Sequence, residues 1–149
     1  MKIIICASID FTPKIKEVAE ILTKQGHDVD IPFTSQRIIN GELTLEDYLK
    51  EKNENGDTAF RESALRKIRD DVIKKHYKKI SESDAILVLN FDKKGIPNYI
   101  GGNTLIEMGF AYVLDKTIYL YNDIPNISYT DEIKAMQPIV IDGDLLKIQ

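Results

Sequence analysis

The sequence has no tryptophan, a single cysteine and only two histidines among its 149 residues. A lone cysteine excludes an intrachain disulfide, and so few sulfur and imidazole donors leave a structural zinc site without its usual four ligands. Cys6 stands in an apolar run, which assigns it to the core as a small hydrophobe rather than to the surface as a reactive thiol. No stretch approaches the roughly 20 apolar residues of a membrane span, so no membrane partner is expected. Residues 1–8 are too short and too weakly basic for a secretory signal, and a cytoplasmic location is the expectation. Positive charge is not in excess either: a formal charge of −4 argues against a nucleic-acid partner. The one basic cluster comprises Arg61, Arg66, Lys67, Arg69, Lys74, Lys75, Lys78 and Lys79. Acids are interleaved with it and apolar residues recur beneath it, the pattern of a solvated helix face, with polyanion binding the minor alternative.

What is present is an apolar fraction of 43%, enough for one core that buries roughly two thirds of the unfolded surface. Residues 1–149 are therefore expected to form one domain. Residues 2–6, Lys-Ile-Ile-Ile-Cys, are a short β-branched run of the kind found in strands covered on both faces. Pro13 suits the first position of a helix in which Ile15, Val18, Ala19 and Leu22 recur before Gly26. Residues 28–31 complete a βαβ opening. The polar stretch 32–57 reads as an excursion over the sheet with one short helix at 43–50. A long helical pattern over 58–82 puts Leu65, Ile68, Val72, His76 and Ile80 on one face, with His76 turned to the core side.

Residues 85–90 form another buried strand, and a helix is expected from Asn103 or Thr104 to Leu114. Strands at 117–121 and 138–141, with a short helix at 131–135 between them, complete the pattern. Five strands alternating with helices predict a single doubly wound α/β domain, flavodoxin-like or Rossmann-like, in strand order 2-1-3-4-5. Such sheets bind ligands at the carboxyl ends of their strands, which directs attention to residues 8–12, 90–104 and 121–125.

Within those segments the residue types suggest specific contacts. Gly101 and Gly102 permit close backbone approach just where a new helix offers unpaired N–H groups to an anion or a sugar hydroxyl. Glu107 is the sharpest signal, since an acid in an otherwise apolar helix needs a partner. Two readings stay open for it. Thr104-Leu105-Ile106-Glu107 matches a capping box, and the same spacing leaves Glu107 beside the glycine loop as a functional carboxylate. Ser8 either donates to a phosphate or sugar or shapes a turn, Asp92 either orients a ligand or sits in a surface loop, and Asn103 either touches a sugar or caps the helix. Tyr99 is placed to stack on a base or to lie exposed, and Asp115 is expected at a left-handed helix end.

The stretch Asp84-Ala85-Ile86-Leu87-Val88, followed by Gly102-Asn103-Thr104-Leu105-Ile106-Glu107-Met108-Gly109-Phe110-Ala111, resembles the signature of the nucleoside 2-deoxyribosyltransferase family, which includes deoxynucleoside monophosphate N-glycosidases. Cys6-Ala7-Ser8-Ile9 resembles the first substrate loop of the glycosidases, and residues 116–120 resemble the strand after the signature helix. The likeness is concentrated in residues 84–121. It implies that Glu107 attacks the anomeric carbon of a (deoxy)ribosyl group, that the base departs, and that water or a second base resolves the sugar ester. It further implies Ser8, Ile9, Asn90, Asp92, Gly101, Gly102, Asn103 and Thr104 as substrate contacts, no cofactor, a nucleoside or its 5′-monophosphate as ligand, and a homodimer or larger assembly in which residues 129–136 of a neighbouring copy complete the site. Family members carry an aspartate about eight residues ahead of the position of Asp84, where this chain has His76. A histidine there either donates a proton near neutral pH or is a satisfied core residue. That departure leaves a catalytically impaired nucleotide-binding module as the second reading. The segment from Gly101 to Glu107 also resembles the motif of cytokinin-type phosphoribohydrolases, with Ile100 and Asn103 where that motif has glycine, which makes such an activity the third.

Overall fold

A computed structural model describes residues 1–54 and 71–149. The β-branched run at the start forms β1 (Lys2–Ala7), and after a single 3-10 turn the chain enters α1 (Thr12–Lys24). Pro13 falls at the second helical position, where its missing N–H would have no partner in any case. Strand β2 (Asp28–Asp30) follows, then α2 (Phe33–Ile39) and α3 (Leu45–Glu54). Helix α4 (Val72–Ser81) leads to β3 (Ala85–Leu89), α5 (Gly102–Val113), β4 (Thr117–Leu120), α6 (Thr130–Ala135) and β5 (Ile139–Val140).

All five strands pair in parallel in the order β2-β1-β3-β4-β5, the doubly wound arrangement expected from the sequence. Because side chains alternate along a strand, each central strand divides its residues between two cores. Ile3 and Ile5 join Leu87 and Leu89 beneath Ile15, Val18 and Leu22 of α1. Ile4 and Cys6 join Ile86 and Val88 on the opposite face, covered by Met108 and Ala111 of α5 and Ile133 of α6. Each aliphatic side chain fully buried in these layers contributes about 1.5–3 kcal/mol. At the carboxyl edge, Phe11, Phe91 and Tyr121 make ring contacts at 5.3 and 5.2 Å and tie together the loops after β1, β3 and β4.

Several local expectations need correction. Helix α2 was not foreseen, because Phe-Thr-Ser-Gln-Arg-Ile-Ile has no apolar period and Phe33 is exposed. The helix placed at 43–50 runs Leu45–Glu54. The long pattern over 58–82 is not one helix: Asp71 takes a left-handed conformation (φ 49°) and α4 starts at Val72. Leu65, Ile68, Arg61, Arg66, Lys67 and Arg69 lie outside the described residues. Helix α5 starts at Gly102, ahead of the expected Asn103 or Thr104, and that shift changes the reading of Glu107. Asp115 does end α5 in the left-handed region (φ 55°). Among the described residues no helix is long and apolar enough to cross a membrane.

Candidate functional site

The loop after β3 delivers the chain to the carboxyl edge of the sheet, where Gly101 precedes α5 with extended backbone and without a side-chain cap. Thr104 is therefore the third residue of the helix and Glu107 the sixth. A capping box needs its Thr outside the first turn and its acid inside it; here both lie too far along the helix. The capping reading of Glu107 is overturned, and Thr104 is buried instead.

The partner of Glu107 comes from α4. His76 Nδ1 lies 2.9 Å from Glu107 Oε1, with the imidazole side chain 35% exposed and the carboxylate side chain 13% exposed. His76 is thus neither sealed in the core nor free in solvent. It faces α5, and its ring N–H is directed at the acid. A small cavity of about 40 Å³ adjoins the pair, lined by Val72, Ile73, His76, Asn103, Ile106, Glu107 and Phe110. That space is large enough for a few waters, so the carboxylate is not enclosed by aliphatic neighbours. A nucleoside is larger than this cavity, so its sugar would have to lie across the mouth.

From beneath, Cys6 of β1 lies near the same carboxylate. Its thiol is fully buried and has the Ile4 carbonyl as its hydrogen-bond acceptor at 4.0 Å; burial first, then the negative charge of nearby Glu107, pushes the thiol well above its ordinary pKa and keeps it protonated. The burial expected for Cys6 is observed, yet its nearness to Glu107 was not foreseen. The only signal in the sequence was its place two residues ahead of Ser8 in the Cys-Ala-Ser-Ile string.

The other candidates divide into two groups. Ser8 follows β1 and is engaged with charged neighbours: Lys93 Nζ donates to Ser8 Oγ at 2.7 Å, and Ser8 Oγ donates to Asp10 Oδ1 at 3.2 Å. Lys93 also pairs with Asp10 at 3.2 Å. Sequence reasoning covered the segments that hold Asp10 and Lys93 but did not single out either residue. Ile9 follows Ser8 in the 3-10 turn, and its carbonyl accepts from Thr12 Oγ1 at 2.6 Å. Gly101 packs against Tyr99, where a Cβ would meet the ring at 3.4 Å, while Gly102 and Asn103 are exposed at the start of α5.

Two candidates are committed to the scaffold. Asn90 is completely buried; its Nδ2 donates to the carbonyls of Asn122 and Asp123 and its Oδ1 accepts from the Asn122 N–H at 2.8 Å. The side chain joins the loops after β3 and β4 and has no amide group left to offer. Asp92 is exposed and accepts from the Asn98 N–H at 3.0 Å, which closes the turn around Lys94 and Gly95. Of residues 129–136, Tyr129 and Ile133 face their own chain: the Tyr129 hydroxyl donates to the Ile100 carbonyl, and Ile133 is fully buried. Among the described residues no group of three or more His, Cys, Asp or Glu side chains is placed to hold a metal ion. A larger groove of about 380 Å³ lies between α1, β2 and α2, lined by Lys16, Val29, Ile31 and Gln36 among others, and includes none of the candidate residues.

No family model and no curated protein matches this chain. Among solved structures, a CMP N-glycosidase of Clostridium botulinum is similar, with 15% identity, a TM-score of 0.51, and alignment over 95% of this chain and 90% of that one. At that identity the likeness establishes the doubly wound fold, which the two proteins share over nearly their whole lengths.

Proposed function

We propose that this protein cleaves the N-glycosidic bond of a (deoxy)nucleoside or its 5′-monophosphate, with Glu107 as the nucleophile. The observation that carries the reading is a carboxylate beside a cavity at the carboxyl edge of a doubly wound sheet, held by His76 at 2.9 Å. In this reading Glu107 forms a bond to the anomeric carbon as the bond to the base breaks. The electron pair leaves with the base, which takes up a proton, and water then releases the sugar and restores the carboxylate. An acceptor base in place of water would give transfer. His76, whose Nδ1 faces the carboxylate at 2.9 Å, is proposed to orient Glu107 and to supply the proton. Asn103 lines the cavity beside Glu107, and Ser8, Gly101, Gly102 and Thr104 are proposed as further substrate contacts. The Clostridium botulinum neighbour acts on a nucleotide N-glycosidic bond, as its name states, which is in keeping with this use of the fold.

A second reading, a non-catalytic nucleoside-binding module, is favoured by the same contact, because a carboxylate tied to His76 is a poorer nucleophile than a free one. Incubating the protein with nucleosides, deoxynucleosides and their 5′-monophosphates and assaying free base by chromatography separates the two. Release that disappears in Glu107→Ala supports the enzyme; thermal stabilisation by a ligand without release supports the module. We further propose a homodimer, to which the exposed apolar side chains Ile73, Tyr77, Ile106 and Val113 on α4 and α5 lend support.

A further inference from the structure

We propose that Ser8, Asp10 and Lys93 form a charge-neutral subsite for the 5′ end of the sugar, one that accepts the free hydroxyl of a nucleoside and disfavours the phosphate of a nucleotide. The proposal rests on the N-glycosidic reading of Glu107 and narrows it to one substrate class.

Two connections through neighbouring residues relate the triad to Glu107. Cys6 packs in the layer under Met108 and Ala111 of the Glu107 helix, near enough for the carboxylate to raise its thiol pKa, and Ser8 lies two residues further along the same strand direction, roughly 7 Å on at the rise of an extended chain. Lys93 lies over the Tyr99 ring, 5.9 Å from its centroid, and Tyr99 packs on Gly101, the residue that opens the helix of Glu107. Glu107 is six residues into that helix, roughly 9 Å along the axis. Both routes place the triad above Glu107 by about the span of a pentose and its exocyclic carbon.

The charges of the triad then decide what fits. Lys93 Nζ contacts Asp10 Oδ1 at 3.2 Å and Ser8 Oγ at 2.7 Å, and Ser8 donates to the same Asp10 oxygen, so the three side chains close on one another. The Lys93 side chain is only 15% exposed and that of Asp10 28% exposed, so the pair is partly shielded from water. The cation is already neutralised. A phosphate reaching for Lys93 must part it from Asp10 and then lie beside that carboxylate, with Glu107 a second negative charge below. Like charges brought together at a recognition site are strongly disfavoured. A hydroxyl carries no such conflict: it donates to Asp10 and accepts from Lys93 without separating them. Lys94, the other cation against Tyr99 at 5.7 Å, is exposed and attracts an anion weakly through water.

The test compares base release from 2′-deoxynucleosides and ribonucleosides with release from their 5′-monophosphates, in wild type and in Asp10→Asn. Wild type is expected to favour the nucleosides by about tenfold or more in kcat/KM, the ratio that 1.4 kcal/mol produces. Asp10→Asn frees Lys93 and is expected to shift that ratio toward the monophosphates by a similar factor, with thermal unfolding confirming an intact fold. Wild-type preference for monophosphates, or an unchanged ratio in Asp10→Asn, overturns the proposal. If wild type releases base from neither set, the N-glycosidic reading falls, and titration calorimetry with the same compounds judges the subsite by itself. Binding of nucleosides over monophosphates, reversed in Asp10→Asn, then upholds it; equal binding or none refutes it.

Discussion

The two faces of the sheet are built from the same strands, yet they differ in what they bury. Under α1 lie Ile3, Ile5, Ile15, Leu22 and Leu87 with no charged group among them. Under α5 the matching layer contains a thiol, and at its edge an acid paired with His76. Helix α5 is so apolar otherwise that Glu107 lowers its capacity to bury surface. On the proposed function the first face serves stability alone, and the second trades some of it for a carboxylate at the carboxyl edge, where such folds bind ligands.

Substitutions sharpen that contrast. Glu107→Leu is expected to abolish base release, by about a thousandfold or more, as loss of a covalent nucleophile does. In the same variant the urea midpoint should stay level or rise, because an apolar side chain there no longer needs His76; a large loss of stability would show that Glu107 serves the fold. On the opposite face, Leu22→Ala should cost about 2–5 kcal/mol in urea unfolding, since Leu22 is fully buried and truncation leaves a cavity. Its kcat is expected to change little at temperatures where it remains folded.

Between these extremes stands Asn90, which is polar but belongs to the scaffold. Asn90→Ala leaves the Asn122 N–H without its acceptor and should destabilise the protein by about 1–3 kcal/mol. Asn90→Asp keeps that acceptor but turns a buried carboxylate oxygen toward the Asn122 and Asp123 carbonyls, so at neutral pH its midpoint is expected at or below that of Asn90→Ala; a midpoint near wild type would show that the two donor contacts contribute little.

The smallest effect concerns Cys6. Its folded-state pKa is raised by burial and by Glu107, so the unfolded chain gives up the thiol proton first. Stability from this group is therefore complete below the unfolded thiol pKa of about 8.5 and declines as pH rises above it, by up to about 1.4 kcal/mol per unit. Between pH 8 and pH 9.5 wild type should lose about 1 kcal/mol more in urea unfolding than Cys6→Ala loses. Equal losses would place the thiol in a less shielded setting.

The sequence disclosed the scaffold better than the site, for a physical reason. Strands β1, β3 and β4 are continuous apolar runs because both faces are covered, and that pattern is local. The strand order followed from the alternation of strands and helices. The neighbours of Glu107 come from β1 and α4, 101 and 31 positions away, and no period in the chain records such proximity. The start of α5 was misjudged because Gly101 and Gly102 read as a turn, although Gly102 is already helical; that displacement alone created the apparent capping box. Lys93 and Asp10 were hidden in polar loops, where only the folded edge brings them to 3.2 Å.

The claim that Glu107 becomes covalently attached to the sugar is open to direct measurement. Rapid acid quench of the protein with a cleaved nucleoside, followed by peptide mass spectrometry, should find one glycosyl unit added to the peptide carrying Glu107, and none in Glu107→Ala. Base release that proceeds with no such adduct, and that persists in Glu107→Ala, would contradict the account.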